Sequence, residues 1–428
     1  MATLSWVQIV RLGLIQLALG AIVVLTTSTL NRLMVVELAL PAVLPGMLVA
    51  LHYGIQISRP HWGFVSDRGG RRTTWIIVGM LTLGAGALLA ACGVLVLETS
   101  FGWGMALSVL AYAMIGLGVG ASGTSLLALL ATATAPRRRA AAATITWLMM
   151  IFGIAVTAGV TGALLDPYTH QRLIVIVLGV VALANAMTVL AIWGIERRVT
   201  VVAEPEPTPF RQGLAEVWAE RRARNFTLFV FLSMTAYFMQ ELILEPYAGL
   251  IFSFTPGQST QLSGAQNGGV FLGMVLVGFA ATGLKWGALR HWVMAGCLGS
   301  AAALTAITLV GSYGAASLLV PAVVALGVFN GMFAVAAIGS MMSLAGQGRE
   351  RRTGTRMGLW GAAQAVAAGF GGLMGAALVD VLRLSLPDVQ AFGLVFLFEA
   401  LIFVAAAVMA ARVMDRGQTL APTLVPGE

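Results

Sequence analysis

Charge is what this sequence has least of: Asp, Glu, Lys and Arg together make 10% of its 428 residues, where soluble domains carry about a quarter. A chain so poor in charge and 59% hydrophobic is neither a water-soluble globular enzyme nor a disordered segment. Lysine is almost missing, with Lys285 alone among 25 basic residues. Cysteine occurs twice, and Cys92 and Cys297 lie in separate apolar runs, which reads as two small buried hydrophobes and not a disulfide. Aspartate stands only at Asp67, Asp166, Asp380, Asp388 and Asp415, never in a DxxxD or DDxxD pattern. Polyprenyl transfer needs such pairs to hold magnesium diphosphate. The sequence is therefore not read as such a transferase, and the chain is taken as a non-enzyme with no metal site. Short alternating strands are missing too, which excludes a membrane β-barrel.

What the sequence has is long apolar runs, with a mean hydropathy of +0.91. Twelve candidate spans fall at roughly 8–36, 41–63, 74–97, 104–134, 141–165, 172–195, 226–251, 266–283, 291–310, 315–343, 357–380 and 390–411. Each approaches or exceeds the ~20 residues that cross a bilayer as a helix. The first run lacks a small-residue cleavage site and leads into further spans, so it is read as a retained span. With the N-terminus inside, the arginine clusters from Arg68–Arg72 through Arg137–Arg139 and Arg349–Arg356 to Arg412 and Arg416 share one face. Only Arg32, Arg172 and Arg383 fall near the other. That asymmetry predicts both termini on the cytoplasmic side. It also accounts for the net charge of +8 without a nucleic-acid partner.

The spans divide into two halves, 1–195 and 226–411, with a tail at 412–428. The connector 196–225 is polar and carries Pro205, Pro207 and Pro209, which favours an extended chain. Phe210, Leu214, Val217 and Trp218 then follow helical spacing, as in an amphipathic helix lying on a leaflet. The halves repeat one another. Arg139 and Arg352 are each followed eight residues later by Trp147 and Trp360, then by a Gly-Ala-rich stretch and by Asp166 and Asp380. This matches span five to span eleven, as a six-plus-six duplication requires.

Between spans two and three stands "GFVSDRGGRR". Gly63, Asp67, Arg68, Gly70, Arg71 and Arg72 fit the loop signature of the major facilitator superfamily, which the chain resembles. The resemblance implies an all-α membrane fold of twelve helices in two six-helix halves related by a pseudo-two-fold. Asp67 would latch a neighbouring helix end while Arg71 and Arg72 face anionic membrane lipids. A second glycine pattern, "GVGASG" at 118–123, lies inside a span with no strand before it, so it reads as close helix packing and not as a nucleotide loop.

A few polar residues stand in the oil. Glu241 and Glu245 are one turn apart near one end of span seven, where Pro246 is expected to bend or end the helix. Arg32 and Glu37 occupy the matching end of span one. These four are candidates for an outer gate, with Arg32 expected to pair with Glu241 or Glu245. Glu399 falls in the middle of span twelve, where a carboxylate is costly unless it faces protein or water or carries a proton. Relaying protons, binding cargo and holding a neighbouring helix are all open to it. His52 is followed one turn on by Gln56 on the same face. A neutral imidazole there could ligate a metal, including the magnesium of a chlorin, or could simply hydrogen-bond between helices.

"RLGLIQLALGAIVVLTTSTLNRLMVVEL", "HYGIQISRPHWGFVSDRGGRR" and above all "QELILEPYAGLIFSFTPGQSTQLSGAQNGGV" closely resemble the PucC/LhaA family of photosynthetic bacteria. That resemblance spans essentially the whole chain. It implies a role in light-harvesting assembly in the bacterial inner or intracytoplasmic membrane. It also implies bacteriochlorophyll or a precursor as bound cargo, with antenna polypeptides and bacteriochlorophyll synthase as partners. Two other functions fit the residues: a proton-coupled transporter of a small amphipathic molecule, and a scaffold that never transports.

Overall fold

The computed structural model describes residues 4–59, 62, 72–135, 138–195, 218–284, 286–346 and 353–414. Gly63, Asp67, Arg68, Gly70 and Arg71 of the loop signature lie outside these, as do nearly all of the connector and of the C-terminal tail. Eleven described helices are long and apolar enough to cross a membrane. A shorter apolar one makes the twelfth, and the described residues contain no strand.

In chain order they are α1 (Trp6–Glu37), α2 (Val43–Ser58), α3 (Arg72–Leu97), α4 (Phe101–Ala133), α5 (Arg139–Leu165) and α6 (His170–Ile192). Then come α7 (Arg221–Met239, resuming as Leu244–Phe252), α8 (Pro256–Val277), α9 (Leu289–Tyr313), α10 (Leu319–Gly346), α11 (Thr353–Arg383) and α12 (Asp388–Val413). The start of α1 and the end of α12 share one end of the bundle, called here the near end; the other is the far end.

The start of α8 differs from the expected 266. Thr255 caps the helix, Gln258 closes a capping box with it, and Pro256 occupies the first turn. Three local signals thus begin the helix inside a polar stretch that hydropathy passes over. α1 likewise opens on a Ser5–Gln8 capping box.

Helix pairing repeats with an offset of six. α1 packs on α5 and α6 as α7 packs on α11 and α12, and α3 packs on α4 and α6 as α9 packs on α10 and α12. Each half has its own apolar core. One runs from Leu4 to Ile195, with Leu242 inserted from α7. The other runs from Phe226 to Met414, with Ile151 inserted from α5. The halves meet along two seams, α5 on α8 and α2 on α11. Small residues bring the first seam close: a Cβ on Gly162 would lie 2.6 Å from the Gly257 carbonyl oxygen. Gly118 of the "GVGASG" run packs in the same way, since its Cβ would lie 2.6 Å from the Gly79 carbonyl of α3. Cys297 is buried and Cys92 is exposed on the outside of α3, against the expectation that both are internal; both are free thiols.

Candidate functional site

α1 and α7 are mates under the pseudo-two-fold, and both lose regular geometry in their far thirds. In α1 the run Thr26-Thr27-Ser28-Thr29 turns hydroxyls back on the helix. Thr26 Oγ1 donates to the Val23 carbonyl at 2.7 Å and Thr27 Oγ1 to the same carbonyl at 3.3 Å. Such back-bonding competes for the carbonyls of the ladder, and α1 widens into π turns at Leu25–Leu30 and Leu33–Glu37. α7 breaks at residues 240–243. Pro246 does not cause that break. It sits in the first turn of the restarted helix, where a missing N–H costs little. Irregular helices at corresponding places in two repeats mark the region where membrane carriers build their sites.

The break separates Glu241 from Glu245. Glu245 is buried and accepts a hydrogen bond from Ser28 Oγ of α1. Asn31 Nδ2 donates to the Leu242 carbonyl at 2.8 Å, so α1 reads the unwound backbone of α7 directly. Thr29 and Thr260 share a hydrogen bond of 3.1 Å. Arg32, 2% exposed, does not pair with Glu241 or Glu245 as expected; its ion-pair partner is Glu37. The reason is the π turn, which bonds residues five apart and stacks Glu37 on Arg32. The guanidinium also reaches across the halves, from Nη2 to the Phe254 carbonyl at 2.7 Å and from Nε to Ser259 Oγ at 3.4 Å. In the adjoining loop, burial pushes the Tyr168 phenol up to about 12; Glu98 and Glu37 add to the rise and Arg32 opposes it.

Two further ties cross between the halves at the far end. Asp380, near the end of α11, accepts from the Ala42 and Val43 amides at 3.0 and 2.7 Å, at the first turn of α2. Asp166, at the end of α5, accepts from Thr255 Oγ1 at 2.8 Å, the residue that caps α8. Both are the repeat-matched aspartates. Each carboxylate completes the start of a helix in the opposite half, where the helix dipole favours negative charge.

Toward the middle of the bundle, Glu241 stands within electrostatic reach of Tyr53 of α2 and Tyr237 of α7. The Tyr53 ring meets Phe238 at 5.9 Å, edge to face. All four side chains are only partly buried. This group lies between the halves and presents one carboxylate, two phenols and an aromatic wall.

His52, 2% exposed, is tied by its Nε2 to Gln56 Nε2 at 3.1 Å. Gln56 Oε1 in turn accepts from Arg59 Nη2. Arginine can only donate, so the Gln56 oxygen must face it and the Gln56 NH2 must face His52. His52 Nε2 is therefore an acceptor already in use, and Nδ1 carries the hydrogen. In this arrangement no lone pair is left for a chlorin magnesium, which favours the second of the two readings of His52, a hydrogen bond between side chains of the bundle. Arg59 is the site residue missing from the sequence-based candidates. Its signal was present: 52, 56 and 59 fall on one helical face.

Glu399 is 0% exposed, and neither of its oxygens has a hydrogen-bond partner among the described residues. It shares a face of α12 with Phe396 and Phe403, which pack on Tyr247 and Phe333 inside the second half. Arg72, expected to face lipid, is buried at 9% exposure and donates to the Ala128 carbonyl of α4 at 2.6 Å.

Comparison with known proteins gives consistent results. A family model described as PUCC protein matches residues 29–418. The Rhodobacter capsulatus protein called bacteriochlorophyll synthase 44.5 kDa chain is 65% identical, covering 100% of both chains. Protein PucC of Cereibacter sphaeroides is 31% identical over 90% of this chain and 86% of its own. Among solved structures, a bacterial homologue of the human lysosomal transporter Spinster superposes with a TM-score of 0.62. It covers 95% of each chain at 16% identity, which speaks for the major facilitator fold alone.

Proposed function

The chain belongs to the PucC family, and from that membership we propose that it serves light-harvesting assembly by handling bacteriochlorophyll or a precursor and passing it to antenna polypeptides. The observation that carries this reading is the partly buried group of Glu241, Tyr53, Tyr237 and Phe238 between the halves. Aromatic edges and phenols suit a flat, largely apolar ring with a few polar substituents. Around it the far end is tied by Asp166, Asp380, Arg32 and Glu245, so cargo enters and leaves from the near end or sideways from the bilayer.

The chain acts beside bacteriochlorophyll synthase and not as its catalyst. Its five aspartates form none of the pairs that hold magnesium diphosphate. It sits in the bacterial inner or intracytoplasmic membrane with both termini cytoplasmic, a placement supported by the one-sided arginines. Residues 1–195 and 226–411 act as two bundles joined by the 196–225 connector.

An absorption spectrum tests the reading. Tagged protein purified in mild detergent from a bacteriochlorophyll-producing host should carry a stoichiometric long-wavelength chlorin band. The band should weaken in folded Tyr53→Ala or Phe238→Ala protein. Folded native protein without pigment would overturn the proposal.

A further inference from the structure

One group of polar atoms near the near end of the inter-half region is unaccounted for. Arg59 is partly buried at the end of α2, and among the described residues no carboxylate pairs with it. Its guanidinium gives one hydrogen bond to Gln56, and its buried Nε has no partner among the described residues. Behind it, His52 Nδ1 is likewise buried and without a partner. The Arg59–Gln56–His52 chain fixes this nitrogen as a second donor. Both buried, unanswered atoms are therefore donors.

Tyr53 lies within electrostatic reach of Arg59 on one side and of Glu241 on the other. The donors thus adjoin the aromatic group and do not form a separate surface patch. A cation within a membrane bundle is costly, and where no acid among the described residues answers it a ligand is the ordinary reason for keeping it.

We propose that Arg59, with His52 behind it, forms an anion site. It takes the free carboxylate of a flat amphipathic ring compound whose body rests on Tyr53, Tyr237 and Phe238. This deepens the pigment-handling reading and rests on it. The cargo is then a tetrapyrrole whose side-chain acid is still unesterified, and the reaction that consumes it is an esterification. The phosphate of a membrane lipid offers the same anionic oxygens, and the test separates the two sources.

The test uses the full chain in phosphatidylcholine nanodiscs. The probes are pheophorbide a, a metal-free chlorin with one free propionate, and its methyl ester, followed by quenching of tryptophan fluorescence. A charge-assisted hydrogen bond contributes about 1.5–3 kcal/mol, so the acid should bind roughly tenfold or more tighter than the ester. Arg59→Gln should lower the acid to the affinity of the ester, and Arg59→Lys should keep part of the difference. Equal binding of acid and ester to native protein would overturn the anion site and leave pigment handling standing. Failure of both probes to bind would overturn both. If phosphatidylglycerol raises the melting temperature of native but not Arg59→Gln protein and removes the preference for the acid, the site belongs to a lipid headgroup. The carboxylate assignment then falls.

Discussion

Glu399 and Arg59 look alike as single letters in apolar spans, yet their surroundings give them opposite standing. Arg59 has the hydrogen-bonded pair Gln56 and His52 behind it and an aromatic group beside it. Glu399 has apolar residues, Phe396 and Phe403 among them, on its own face and no hydrogen-bond partner among the described residues. A polar group buried without partners costs about 1–3 kcal/mol. Glu399→Leu is therefore expected to raise the melting temperature in detergent and leave antenna assembly normal. A lower melting temperature would show that the carboxyl has a stabilising contact, and lost assembly would return it to the functional site. At this scale the sequence was legible where a residue was rare for its place, as with Arg32, His52 and Glu399. Partners were less legible, because regular α spacing was assumed. Regular α spacing points Arg32 at span seven, and only the π turn makes Glu37 its neighbour. Arg59 went unread because it lies so close to the arginine-rich loop.

At the scale of elements, hydropathy located every span and misjudged those whose ends are set by hydrogen bonds. α8 starts at Pro256 and not at 266 because Thr255 and Gln258 close a capping box in a stretch too polar to register as membrane. Thr255→Ala should cost about 1 kcal/mol, the usual value of an N-cap, and should also free Asp166. Faster amide exchange at Gln258 and a lower melting temperature would show it, whereas unchanged exchange would mean that Pro256 alone starts the helix. The break in α7 was invisible for a different reason. Its sequence, Gln240 to Ile243, is helix-compatible, and what holds it open lies on another helix, in the bond from Asn31 to the Leu242 carbonyl. No local window contains both.

For the whole molecule, the repeat of Arg, Trp and Asp proved informative in one respect and misleading in another. The aspartates occupy equivalent places and perform equivalent contacts. The tryptophans do not: Trp360 is buried against Phe226 in its own half, while Trp147 is partly buried against the core of the other. The two carboxylate ties stand on separate seams, so their effects should add. Asp166→Ala and Asp380→Ala should each loosen the far end, with the double variant losing the sum. Amide exchange at Ala42, Val43 and Gln258 measures it. A double variant no worse than either single one would mean that one seam alone carries the closure.

The crossing of those aspartates bears on what each half is by itself. Cut within the connector, the first half would present an α2 whose opening amides have lost Asp380, together with an Asp166 that caps nothing. The second half would carry the converse pair of vacancies. Each bundle is thus lock to the other's key twice over. Two separately expressed pieces should find one another in a membrane and reassemble, while either produced alone should be a substrate for proteolysis.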